Sequence, residues 1–282
     1  MLELLKKYLP SFVSFIQRDV RLEAKLNDFK VRHQNLLQKL RNEGDSIVRP
    51  HSIYEWIVTA EQGDLESMAF LNFLDQTLLF ATREIEMRLN AKLRSIAWHL
   101  VTAFDTDVTL KENPRYLTYL GELLVIHRIL TDKVKFQLLE IEHPLPNQKT
   151  ADIFILNLQS KEKVLFDVFS LLGFDPSKPE TENDVVNFFE RKFNQKLGSK
   201  TDGLDEAESG TEIIINGEQV RFAILPILWI ELQELVRWRD VLSAIEKKYK
   251  NVLPLSILFA QQSIDGSFTF TFSNVSIGLE TI

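Results

Sequence analysis

The chain has 282 residues, of which 45% are hydrophobic and 26% charged, enough apolar material for one large domain or two small ones. It holds no cysteine, which excludes a disulfide framework, a thiolate nucleophile and a cysteine-based zinc site, and fits an intracellular, cytoplasmic protein. A formal net charge of −7 argues against a surface generally adhesive to phosphate backbones, so any nucleic-acid contact needs a local basic patch.

The segment Met1 to Pro10 carries Lys6 and Lys7 but lacks the continuous apolar stretch and small-residue cleavage site of a secretory signal. The most apolar run, Phe222 to Ile230, falls well short of the roughly 20 residues that cross a bilayer. A soluble protein without membrane contact is the expectation. From Ser11 to Arg41 apolar residues recur at helical spacing (Phe12, Phe15, Ile16, Val20, Leu22, Leu26, Phe29), predicting one long amphipathic helix or two. The spacing keeps no strict heptad, so a bundle face is expected rather than a coiled coil. Asn42 to Ser46 reads as a stop, and Pro50 with Ser52 restarts a helix through about Ala60. A further helical pattern covers Leu65 to Val101, with a break expected near Gln76 or Arg83. Asp105-Thr-Asp107 reads as a solvated turn. Asn113-Pro114 supplies a cap and a first-turn proline for a helix to about Thr131, which carries Glu122.

The period then changes from 3.6 to 2. Val134–Ile141, Ala151–Leu158 and Val164–Leu171 read as three strands, followed by a helix from Asn183 to Leu197. The acidic, glycine-bearing run Gly198 to Thr211 is predicted to be a mobile loop. Asn216-Gly217 marks a hairpin, because that turn requires two positive φ values. Glu231 to Lys250 reads as a helix and Asp265-Gly266 as a second hairpin, between Leu255–Gln262 and Ser267–Phe272. The pattern predicts an α+β or α/β protein: a helical region over residues 1–112, then a mixed sheet flanked by helices over 113–282 with a C-terminal hairpin extension.

Acidic residues on core-forming elements carry the chemistry. Asp152 opens a strand that is apolar on both faces, and Asp167 shares a face with Leu165 and Phe169 on the next. If the two strands pair as a hairpin, both carboxylates reach one site, where they repel unless a cation neutralises them or one takes up a proton. Magnesium, which accepts oxygen ligands and keeps several waters, suits so sparse a site. The five histidines are scattered without zinc-ligand spacing, and the glycines form no phosphate-cradling loop.

Glu122, Asp152 and Asp-Val-Phe-Ser at 167–170, in this order of elements, resemble the PD-(D/E)XK nuclease superfamily, the restriction-endonuclease-like fold, over roughly Asn113 to Ile230. The resemblance implies an Mg²⁺- or Mn²⁺-dependent nuclease whose metal ligands are Glu122, Asp152 and Asp167. Phe169 stands where that family carries its lysine. The resemblance also implies that the lysine can sit elsewhere. Lys163, Lys149, Lys192 and Lys196 are the candidates, with Lys192 or Lys196 preferred if their helix packs over the sheet. Lys163 shares the face of Asp167 but lies about 13 Å along the strand. Two alternatives stay open: a non-catalytic module of the same fold that binds nucleic acid or protein, and a helical interaction protein, partnering or self-associating through its N-terminal helices, whose acidic residues are purely structural.

Overall fold

The computed structural model describes residues 2–16, 20–43, 50–104, 114–172, 181–204, 212–229, 232–249 and 256–274. It is an α+β structure whose chain divides into two compact units, Met1–His127 with Gln262–Phe270, and Arg128–Gln261 with Thr271–Ile282.

The first unit is helical: α1 (Leu2–Tyr8), α2 (Pro10–Ile16), α3 (Val20–Glu43), α4 (Ile53–Glu61), α5 (Leu65–Glu84), a short 3-10 turn (Met87–Leu89), α6 (Asn90–Thr102) and the start of α7 (Arg115–Thr131). Local chemistry sets several of these ends. Ser52 accepts the Glu55 N–H at the head of α4, and Asp64 accepts the Ser67 N–H at the head of α5, each satisfying a donor that the first helical turn leaves orphaned. The expected stretch Leu65–Val101 passes through Gln76 unbroken and ends beside Arg83, where Ile85 turns extended. Phe12, Leu26, Phe29, Trp56, Phe70, Leu74, Leu78, Leu93 and Leu100 fill the core. Within it Trp56 Nε1 donates to the Tyr116 hydroxyl at 3.0 Å, so the indole is buried without losing its hydrogen bond. Among the described residues no helix is long and apolar enough to cross a membrane. The expected stop is described only to Glu43, and the Asp105–Asp107 turn and Asn113 lie outside the described residues.

The second unit is built on β1 (Phe136–Pro144), β2 (Thr150–Asn157), β3 (Lys163–Leu172), α8 (Glu182–Thr201), β4 (Glu212–Ile215), β5 (Glu218–Trp229), α9 (Leu232–Lys248), β6 (Ser256–Gln262) up to Gln261 and β7 (Phe268–Asn274) from Thr271. The strands form one mixed sheet in the order β1-β2-β3-β5-β6-β7, with β4 also on β5. β2 runs antiparallel to β1 and to β3, and is central there, as its two apolar faces require. β3 pairs parallel with β5 from Val164↔Arg221 to Leu172↔Trp229, and α8 lies in the crossover that a parallel pair demands. The other edge of β5 is shared: β4 takes Glu218–Arg221 and β6 takes Ile227–Trp229. Pro226, which has no N–H to give a ladder, falls between these two pairings.

One face of the sheet packs on α8 and α9. Leu165 and Leu171 of β3, Phe222, Ile224 and Leu228 of β5, Val185, Phe189 and Phe193 of α8, and Leu242 and Ile245 of α9 share one buried cluster, against which Phe169 packs. On α8 the three core residues recur every four positions, giving a single apolar stripe. The helix begins in a reciprocal capping box between Thr181 and Asp184. It runs on past Leu197 to Thr201, correcting the expectation of a loop from Gly198: serine and lysine continue a helix whose buried face is already anchored, and the turn comes only at Gly203 (φ +77°). Residues 205–211 of that expected loop lie outside the described ones. Asn216 (φ +51°) and Gly217 (φ +82°) form the positive-φ hairpin turn that their identity predicts.

Candidate active site

The β2–β3 register, Ile153↔Phe166 and Phe154↔Leu165, continued by one residue sets Asp152 opposite Asp167. Directly opposed residues of an antiparallel pair face the same side of the sheet, so both carboxyls lie on the side that α8 covers. Asp167 is fully buried, and Asp152 is partly covered. One Asp152 oxygen, Oδ2, accepts the Val168 N–H at 2.7 Å, which fixes the carboxyl across the strand pair.

Helix α8 brings two ammonium groups to the buried acid. Lys196 Nζ stands 2.7 Å from Asp167 Oδ2, and Lys200 Nζ stands 2.7 Å from Oδ1. These are close ion pairs, yet neither oxygen of Asp167 has a partner at hydrogen-bonding angles. The stripe on α8 explains the convergence: Lys196 and Lys200 follow Phe193 by three and seven positions, so they extend the face formed by Val185, Phe189 and Phe193. Their side chains are 29% and 19% exposed, with apolar stems running along the sheet and heads at the acids. Lys196 also passes over the Phe169 ring, 5.9 Å from its centre.

The β1–β2 turn holds the end of α8 in place. Asn147 Nδ2 donates to the carbonyls of Lys200 and Asp202, both at 2.9 Å, satisfying acceptors that the last helical turn cannot. Lys200 Nζ donates in addition to the Thr150 carbonyl at 2.7 Å. Two lysines at this end of the helix also sit where the macrodipole favours positive charge.

Burial, then the charge of Asp167, push the Asp152 carboxyl up to about 7, against the opposing pull of Lys200 and Lys196. The cluster therefore changes charge near neutrality. Below that point Asp152 holds its proton, and above it the carboxyl is ionised.

Of the other sequence candidates, Lys163 and Lys192 engage different partners. Glu122 is buried on α7. Lys163 pairs with Glu218 in an exposed bridge at the start of β3. Lys192 stands 6.0 Å over the Phe188 ring, one position before Phe193 and so about 100° around the helix from the core stripe. Among the described residues no three histidine, aspartate or glutamate side chains gather as a cation site. Lys200 is absent from the sequence candidates because the predicted helix ends at Leu197, whereas α8 continues to Thr201. Extending the Val185-Phe189-Phe193 stripe by one more turn would have found it.

No protein-family model matches the chain, and no curated protein does. Among solved structures it is similar to the one described as the structure of Pyrococcus furiosus SfsA in complex with Ca²⁺, at 9% sequence identity and a TM-score of 0.21. The match covers 55% of this chain and spans 60% of that one. A likeness so loose carries no chemical information.

Proposed function

We propose that the sheet unit is a metal-dependent nuclease domain of the PD-(D/E)XK kind, hydrolysing phosphodiester bonds with Asp152 and Asp167 as the metal-binding carboxylates and Lys196 in the place of the missing lysine. The observation that carries this reading is the path of Lys196: it crosses over Phe169 and delivers its ammonium to 2.7 Å from Asp167. The cation that β3 lacks is thus supplied from α8.

The donor set fits a hard divalent cation. Two opposed carboxyls, one of them fully buried with no well-angled hydrogen bond to either oxygen, offer the sparse oxygen ligation that Mg²⁺ accepts alongside waters and substrate phosphate. When bound, the metal would supply a water of lowered pKa and charge stabilisation at the attacked phosphate. The chain's own groups have distinct tasks. Asp152, once deprotonated, would hold the metal together with Asp167. Lys196 turns from Asp167 toward the phosphate oxygens and stabilises the charge developing there. Lys200, tethered to the Thr150 carbonyl, stays to hold Asp167, and Phe169 with Phe193 keeps the inner wall dry.

The test combines thermal unfolding in Mn²⁺ or Mg²⁺ with cleavage of single- and double-stranded DNA and RNA. Metal should raise the melting temperature, since a ligand bound only by the folded state stabilises it. Asp152→Asn should remove both that shift and any cleavage. Lys196→Met should keep metal binding and lose cleavage, and Phe169→Lys in the Lys196→Met background should restore part of it. Absence of a metal shift in the unmutated chain at millimolar Mn²⁺ sinks the nuclease reading. A metal shift without cleavage favours the non-catalytic reading, a nuclease-fold module binding nucleic acid or protein, which has its own support in the engagement of both lysines by Asp167.

A further inference from the structure

The helical unit contains a cavity of about 420 Å³ among α2, α5 and α6, within the size range of small-molecule sites. Its walls combine the apolar surfaces of Phe15 and Leu79 with the polar groups of Ser11, Ser14, Thr82 and Arg94. Arg94 decides its chemistry. The residue is half-buried, its guanidinium held by a bond from Nε to the Phe15 carbonyl at 3.1 Å and laid over the Phe15 ring at 5.3 Å. Among the described residues no carboxylate pairs with it. The Nε edge is spent on the backbone, which leaves the Nη pair, the edge that matches the two oxygens of a carboxylate.

The hydroxyls refine the ligand. Ser11 Oγ donates to Asp75 at 2.8 Å and Thr82 Oγ1 donates to the Leu79 carbonyl at 2.9 Å, so both retain acceptor capacity and neither has a proton to offer an anion. Ser14 remains as the second donor beside Arg94. The nearby Asp75 carboxyl opposes a dianion, and one guanidinium balances one negative charge. We propose that this cavity binds a small organic carboxylate, its acid on Arg94 and Ser14 and its apolar body against Phe15 and Leu79. The site is independent of the sheet unit's acids and lysines and of any nuclease activity.

Thermal unfolding of the full chain with phenylacetate, benzyl alcohol and inorganic phosphate as separate probes tests this. Phenylacetate should raise the melting temperature saturably, by about 2 °C or more when in large excess over its dissociation constant. Benzyl alcohol, matched in its apolar body but uncharged, and phosphate should give clearly smaller shifts. Arg94→Gln, which retains a donor for the Phe15 carbonyl, should abolish the phenylacetate shift. Ser14→Phe, which fills the cavity from an exposed position on α2, should abolish it with Arg94 intact, and serves if the arginine variant does not fold. The proposal is overturned by no phenylacetate shift at a concentration tenfold above a dissociation constant of about 1 mM, a binding free energy of only about −4 kcal/mol. It is equally overturned by shifts of the same size from the neutral probe, by a larger shift from phosphate, or by a shift that survives Ser14→Phe.

Discussion

Two aspartates, Asp75 in the helical unit and Asp167 in the sheet unit, are buried to 4% and 0% exposure and differ in what compensates them. Asp75 sits on α5 and receives two bonds from the head of α2, from the Ser11 N–H and the Ser11 hydroxyl, each at 2.8 Å. Burial raises its pKa and those bonds oppose the rise. It is a helix cap supplied from a neighbouring helix, complete in itself. Asp167 has no such bonds at good angles and is compensated by charge alone, from two lysines whose stems are flexible. Burial of a carboxyl therefore says little about function, whereas the kind of compensation says a good deal: fixed dipoles make a joint, and movable charges make a site that a ligand can enter.

The sharpest way to break this comparison is to remove the movable charges. Lys196→Met with Lys200→Met leaves a fully buried carboxylate without cations and should cost about 3–5 kcal/mol in urea unfolding. A loss below about 1 kcal/mol would mean that water or rearrangement already compensates Asp167, and the contrast with Asp75 would fall. Asp75→Ala comes next, at about 1–3 kcal/mol, because the two Ser11 donors lose their acceptor. It should leave any metal-induced shift untouched.

Asp152→Asn should stabilise the protein by on the order of 2 kcal/mol at pH 8, with almost no effect at pH 4. The sign follows from the raised pKa. An unfolded aspartate loses its proton near 4, roughly its ordinary value, while the folded carboxyl holds it to about 7. The folded state binds more protons across that window, so the unmutated chain loses stability as pH rises from 4 to 7, and the asparagine, which cannot ionise, escapes the loss. A variant equally stabilised at both pH values would contradict it. The same proton predicts that the Mn²⁺ shift grows between pH 6 and 8, since the metal competes with it for Asp152. The smallest effect is Lys163→Ala, which removes an exposed bridge to Glu218 and should change stability by less than about 1 kcal/mol.

Much of the architecture follows from local sequence chemistry. The Ser52 cap, the Asn216-Gly217 turn and the three strands from β1 to β3 are each written in a few neighbouring residues, as is the face shared by Asp152 and Asp167 once the strands pair. What local chemistry does not specify is which distant strands meet. The parallel pairing of β3 with β5 brings residues from Val164 and Arg221 onward together, and no turn signal announces it. The choice between Lys192 and Lys196 stayed open in the sequence for a related reason. Strand alternation put Lys163 on the right face but too far along it, and only the phase and full length of α8 separate Lys192 from Lys196 and Lys200.

The grip of Asn147 on the last carbonyls of α8 makes that helix a ruler with one end fixed. One residue inserted between Phe193 and Lys196 would rotate both lysines about 100° off the acids and lengthen the helix by about 1.5 Å against its anchored end. Substitutions along the exposed face leave the measure intact, whereas a single insertion or deletion destroys it. In related chains the site would therefore be found by spacing, an aromatic residue followed three and seven positions later by lysine, more reliably than by the short acidic motif on the strand.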